Sequence, residues 1–248
     1  MYRDKAVALG EPARGEAAPD TDLGHLLVCL QLTDSAFPSG SYTLSHSLEG
    51  FVQEGAVDRH SLPRLLQDLL RYGVGPSEAT ALALAHQGAA AGDWAAVAAT
   101  DRRLYATKLN REMRQASIRI GRQLLDLAAE VFGAADIVRY HREVTAHRVP
   151  GTQAVAAGIV HAAAGVPVRQ AVAAHLFAFC ASFAGAALRL RLTDHRSTQV
   201  LLRRVAPVIE ETTHRALARD LHDLGATTFM ADVMSARHER AGARLFVS

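Results

Sequence analysis

The chain has 248 residues, nearly half of them hydrophobic, few aromatic, and a formal net charge of +2. That length can bury a sizeable core, and the charge excludes an electrostatic grip on nucleic acid. Two cysteines, Cys29 and Cys180, both inside apolar runs, fit buried thiols in a reduced compartment better than a disulfide framework.

Residues 1–22 carry no apolar core long enough for a secretory signal and read as a mobile tail. Helical periodicity begins at Leu23–Leu32 and returns after a polar loop at Leu44, Leu48, Phe51 and Val52, with Gly55 as the stop. Ser61 reads as the N-cap of a helix with Leu65, Leu66, Leu69 and Leu70 on one face. Gly73 is expected to end it and Pro76 to open the next, which runs to about Ala90. Asp93 caps a helix starting at Trp94.

The strongest amphipathic pattern follows. Leu109, Met113, Ala116, Ile120, Leu124, Leu127 and Val131 form one stripe, with Arg111, Arg114 and Arg122 opposite. A short helix begins near Asp136, and Pro150-Gly151 breaks the chain. Two small-residue helices are predicted at Thr152–Ala164 and from Pro167 to about Leu190. The second contains eighteen residues without a formal charge, Ala171 to Leu188, but is mostly alanine and reads as a helix buried on all sides of a bundle rather than a membrane span. A helix from about Arg196 to Leu221, kinked at Pro207, and one more short helix complete an all-α, single multi-helix bundle-like domain over residues 23–248.

No P-loop and no dinucleotide fingerprint occurs. The histidines have no partner at i+3 or i+4, and there is no Cys-x-x-Cys, so no local metal site is expected. Asp34, Ser39 or Ser41, and His46 have the side-chain types of a hydrolase, but without a Gly-x-Ser-x-Gly elbow they read more simply as helix caps and turn formers. The arginines of the amphipathic helix are either a solvated face or a surface for an acidic partner.

The stretch LTDSAFPSGSYTLSHSLEG resembles the signature loop of the UreF family of urease accessory proteins, through Asp34, Ser35, Pro38, Gly40, Ser45, Leu48 and Glu49. The similarity continues through Glu112, Arg114, Ser117, Gly121, Leu124 and Leu125, through His147, and at the end through His238, Glu239, Arg244, Leu245, Phe246 and Ser248. The chain departs from the family where Ser41 and Ser47 replace glycine, at the Thr193-Asp194 turn, and at Ala241-Gly242-Ala243.

The resemblance implies a non-enzymatic cytoplasmic chaperone without a cofactor or metal site of its own. It would form a homodimer, bind a UreD/UreH-type partner, and bring the GTPase UreG to apo-urease for nickel insertion. Neither nucleic acid nor membrane enters this reading. The expected partner-binding residues are Asp34, Ser35, Pro38, Gly40, Glu49, Arg111, Arg114, His238, Glu239, Arg244, Leu245 and Phe246, with Leu245 and Phe246 as an anchor that orders when the partner arrives. A helical adaptor for another GTPase or metallocentre, and a helical hydrolase on Asp34, Ser39 and His46, are the alternatives.

Overall fold

The computed structural model describes residues 21–34, 37 and 43–246. Residues 1–20, Ser35, Pro38, Ser39, Gly40 and Ser41 lie outside them. The described residues form a single helical domain without a β-strand. The helices are α1 (Thr21–Thr33), α2 (Leu48–Gln53), α3 (Leu62–Asp68), α4 (Thr80–Ala90), α5 (Trp94–Thr107), α6 (Arg111–Phe132), α7 (Ala135–Thr145), α8 (Gln153–Ala163), α9 (Val168–Arg189), α10 (His195–Leu217) and α11 (Phe229–Glu239).

At the centre stands α8. All eight residues from Ala154 to His161 are buried, so this helix has no solvent face. Its small side chains allow α4 and α6 against it. A Cβ on Gly158 would lie 2.6 Å from the Leu82 carbonyl of α4, and one on Gly121 of α6 would lie 2.1 Å from the Gly151 carbonyl. Both backbones therefore meet where only hydrogen fits.

The start of α8 is held by Asp101. This carboxylate is fully buried and accepts from Gly151 N at 2.6 Å, Thr152 N at 2.9 Å, Thr152 Oγ1 at 2.5 Å and Tyr140 Oη at 2.7 Å. Four donors at a helix N-terminus take the place of a cation.

Between α3 and α4 the chain does not break. Leu69–Ala79 continues as a π-helix, against the expectation that Gly73 ends one helix and Pro76 opens another. In a π-helix the N–H of residue 76 would meet the Arg71 carbonyl five residues earlier, and Pro76 has none to give. Backbone from a distant segment docks on this run: Tyr72 O accepts Thr227 N at 2.9 Å, and Pro76 O accepts Gly225 N at 3.1 Å. The 224–228 segment thus gives two carbonyls of the run donors from outside it.

Three other expectations are corrected. Ser61 makes no side-chain cap bond; the Asp58 carboxylate accepts its N–H at 2.8 Å and its hydroxyl at 2.8 Å. On α6 the buried face is Ala116, Ser117, Ile120, Gly121, Leu124, Leu125 and Ala128. Leu109 and Val131, the ends of the predicted stripe, are exposed, because the small residues rotate α6 onto α8. Within the helix predicted to be buried on all sides, Phe177 is 47% exposed, although Val172, Leu176, Cys180 and Phe183 are in the core. That helix, α9, is the one helix among the described residues long and apolar enough to cross a membrane, and it packs against α10, α4 and α1.

Asp93 caps α5 as expected, and Asp194, read from the sequence as a turn former, caps α10; they accept from Ala96 N and from Arg196 N and Ser197 N, each at 2.9 Å. Pro207 sits inside an unbroken α10, which ends at Leu217.

Candidate functional site

Seven of the expected partner-binding residues meet at one place. Glu49, in the first turn of α2, faces the inner side of α11. Its carboxylate accepts the His238 Nε2–H at 2.8 Å, Leu245 N at 2.8 Å and Phe246 N at 3.0 Å. One side chain thereby binds α11 and the backbone of the carboxyl-terminal segment.

Charged contacts surround this centre. Arg244 Nη1 donates to Glu112 at 2.9 Å, tying the segment to α6. Arg111 reaches Glu239 at 2.5 Å, and Arg237 reaches Glu54 at 2.5 Å. Gln53 Nε2 donates to Ala243 O at 3.1 Å. The Phe246 ring is 6% exposed and lies 4.2 Å from the Arg189 guanidinium of α9. Phe246 is therefore packed on its own domain, contrary to the expectation that the Leu-Phe pair waits for a partner. Leu245 points away and is 73% exposed.

Local backbone explains how α2 approaches. His46 and Ser47 both have left-handed φ, 53° and 68°. Glycine adopts that φ without strain, whereas a side chain with a Cβ resists it. Here Ser47 Oγ meets Ser235 Oγ of α11 at 2.9 Å. A Cβ on Gly50 would lie 2.4 Å from the Met234 carbonyl, so α2 and α11 touch through backbone.

The remaining candidates lie elsewhere. Arg114 covers the Tyr105 ring at 5.7 Å, and Arg122 donates to His147 Nδ1 at 3.1 Å. Asp34, at the end of α1, lines a cavity of about 290 Å³ that Arg189 also borders. Ser35, Pro38 and Gly40 fall outside the described residues.

A second cluster was not singled out in the sequence. Lys108 forms an ion pair with Glu78, which also accepts the Ser77 hydroxyl. Burial alone pushes the Glu78 carboxyl up, but Lys108 and the two hydrogen bonds outweigh it and hold the group at about 2. Beside it, His46 packs edge-on against Phe179 at 4.5 Å and meets Ser182 Oγ through Nε2 at 3.0 Å. Burial lowers His46 to about 4 and also lowers His175. One signal was legible: Lys108 is one of two lysines in an arginine-rich chain. A compact ammonium fits a confined pair where a planar guanidinium does not.

The pair stands between adjoining cavities. About 320 Å³ on one side and 80 Å³ on the other share His46, Glu78 and Lys108 as walls. The smaller shares Gln153, His175 and Ser182 with the 290 Å³ cavity. Among the described residues no three His, Cys, Asp or Glu side chains cluster as a metal site. The His46–Ser182 contact is not a nucleophile with its base. His46 is a poor base at about 4, and no carboxylate among the described residues hydrogen-bonds its other ring nitrogen. Of the hydrolase residues expected from the sequence, Ser39 and Ser41 lie outside the described ones.

The UreF family profile matches residues 56–206. A protein from Xanthobacter autotrophicus named "Urease accessory protein UreF" is 33% identical over 242 residues, 96% of this chain and 97% of its own length. One of the same name from Trichodesmium erythraeum is 31% identical over 232 residues, covering 92% of this chain and 99% of that one. Another from Paenarthrobacter aurescens is 31% identical over 223 residues, 90% of this chain and 97% of its own.

Proposed function

We propose, since the chain belongs to the UreF family of urease accessory proteins, that it is a non-catalytic cytoplasmic adaptor for nickel insertion into apo-urease. In this reading it binds a UreD/UreH-type accessory protein as a homodimer and brings a UreG-type GTPase to the complex. Nickel is cargo passed between partners.

The observation that carries the reading is the clasp around Glu49. The carboxyl-terminal signature residues are tied down by their neighbours, while Leu245 is left 73% exposed at a defined position. An exposed leucine on a braced segment loses little further entropy on binding. Arg111, which is 72% exposed at its side chain, pairs with Glu239 at the end of α11. The apolar stripe Leu23, Leu26, Leu27 and Leu30 on α1 is exposed as well, which supports association with a further protein or a second copy. An adaptor needs differential affinity for partner states rather than a nucleophile.

The test is reconstitution with UreD- and UreG-type proteins and apo-urease. The parent chain is expected to co-purify with both and to raise urease activation. Substituting Leu245→Ala should reduce both readouts while the fold is unchanged. A parent chain that binds neither protein contradicts the reading.

A further inference from the structure

The end of α7 holds a histidine where the backbone favours glycine. The turn closes through His147 N donating to Val144 O and Arg148 N to Glu143 O, both at 3.0 Å, with His147 left-handed at φ 57°. Glycine is the usual residue at such a position, because a Cβ resists that φ. The equivalent turn after α8 uses Gly165, φ 74°. His147 stands there against that preference, and its exposed ring meets Arg122 of α6.

That contact fixes the tautomer. Arg122 Nη2 donates to His147 Nδ1 at 3.1 Å. A guanidinium accepts nothing, so Nδ1 is the bare nitrogen of a neutral ring and Nε2 carries the hydrogen. Among the described residues no group accepts the Nε2–H.

Beside the pair opens a cavity of about 260 Å³, between α5, α6 and the loop into α8. Tyr105, Ile118, Val149 and Pro150 make its apolar walls, and Arg122, His147 and Arg148 its polar ones. Arg148 is bound to Glu143 through two contacts of 2.6 Å. Arg122 has no carboxylate partner among the described residues. Nor has Arg102, which donates to Arg148 O at 3.3 Å, or Arg114, which covers the Tyr105 ring. Asp101, under the same loop, already holds four donors. Positive charge beside an apolar hollow is therefore left unanswered.

We infer that this cavity binds a small organic carboxylate, its apolar body against Tyr105, Ile118 and Val149 and its charge between Arg122 and the His147 Nε2–H. Two donors from different elements match the two oxygens of one carboxylate. A phosphate would leave the apolar walls uncovered, and a neutral amide would leave Arg122 without a counter-charge. The site is independent of the adaptor reading.

The experiment titrates the isotopically labelled full chain with benzoate and follows it by NMR. Benzamide supplies the shape without the charge, and inorganic phosphate the charge without the shape. Benzoate is expected to bind saturably, with a dissociation constant of about 1 mM or tighter, and to move the signals of Tyr105, Ile118, Arg122 and residues 147–150. Benzamide and phosphate should bind about tenfold more weakly or worse. Arg122→Ala and His147→Gly should each weaken benzoate by about tenfold. Glycine relieves the left-handed φ, so His147→Gly should melt no lower than the parent. A loss of binding in that variant then reports the ring and not the fold. A parent that does not bind benzoate overturns the inference. So do benzamide or phosphate binding as tightly, shifts centred outside the cavity, or variants that bind like the parent. A His147→Gly variant that melts well below the parent also overturns it, by making the ring a tie within the fold.

Discussion

His238 and Glu49 are 189 residues apart in the chain and 2.8 Å apart in space, with side chains 0% and 5% exposed. Their bond closes the domain, because the same carboxylate also receives the Leu245 and Phe246 backbone N–H groups. Removing Glu49 leaves three donors short of an acceptor, and each buried orphan costs about 1–3 kcal/mol. Glu49→Ala is therefore expected to lower stability by about 3 kcal/mol or more and to expose the carboxyl-terminal segment to proteases. Urea denaturation and limited proteolysis measure the two effects.

Leu245 and Phe246 should separate cleanly. Phe246 is buried beneath Arg189, and truncating a buried Phe costs about 3–5 kcal/mol in a well-packed site. Phe246→Ala should melt lower. Leu245→Ala removes a side chain that is 73% exposed and should leave melting nearly unchanged. Equal melting shifts for the two would refute the packing described.

Glycines at close approaches should be intolerant, and one in open space should not be. Gly50→Ala places a methyl 2.4 Å from the Met234 carbonyl, and Gly121→Ala places one 2.1 Å from that of Gly151. Both force helices apart at a cost of about 1–3 kcal/mol or more. Gly185, inside α9, has no atom within 4 Å of its would-be Cβ. Gly185→Ala should be neutral or stabilise by up to about 1 kcal/mol. Thermal melts of the three variants decide.

Acid should weaken the domain through its buried histidines. Burial lowers His46 and His161 to about 4 from 6.5. Between those values the unfolded chain binds the protons and the folded chain does not, so stability falls as pH drops through that window. For His161, 3% exposed, the loss from pH 7 to 5 is about 2 kcal/mol. His161→Leu should lose less over the same interval, read from urea midpoints at the two pH values. Glu78, held at about 2, acts at lower pH. Its contribution is complete above 4.5 and disappears as pH falls through about 2.

Periodicity was enough to place most helices, because alanine-rich segments carry their own start and stop signals, such as Asp93 and Gly55. It failed at Gly73 and Pro76, where a contact from residues 224–228 overrides the local preference to break. The signature residues drew attention to the right region, and seven of them do converge. Their shared role in a clasp was hidden, since a carboxylate that reads backbone N–H groups leaves no pattern at its receiving end. Asp101, Glu78 and Lys108 were missed for the same reason. Each is a single charge inside ordinary helical sequence, given meaning only by residues about 30 to 50 positions away.

The π-helical run also fixes the rotational phase of the two helices it joins. In a regular helix each residue added or removed turns everything beyond it by about 100°. Leu62 and Leu66 on α3 point into the core only because eleven residues, wound wider than an α-helix, separate them from α4. A one-residue deletion between Leu69 and Ala79 would let the turn tighten, and α3 would then swing Leu66 toward solvent while α4 stayed in place. The segment should accordingly admit substitutions far more readily than changes in length.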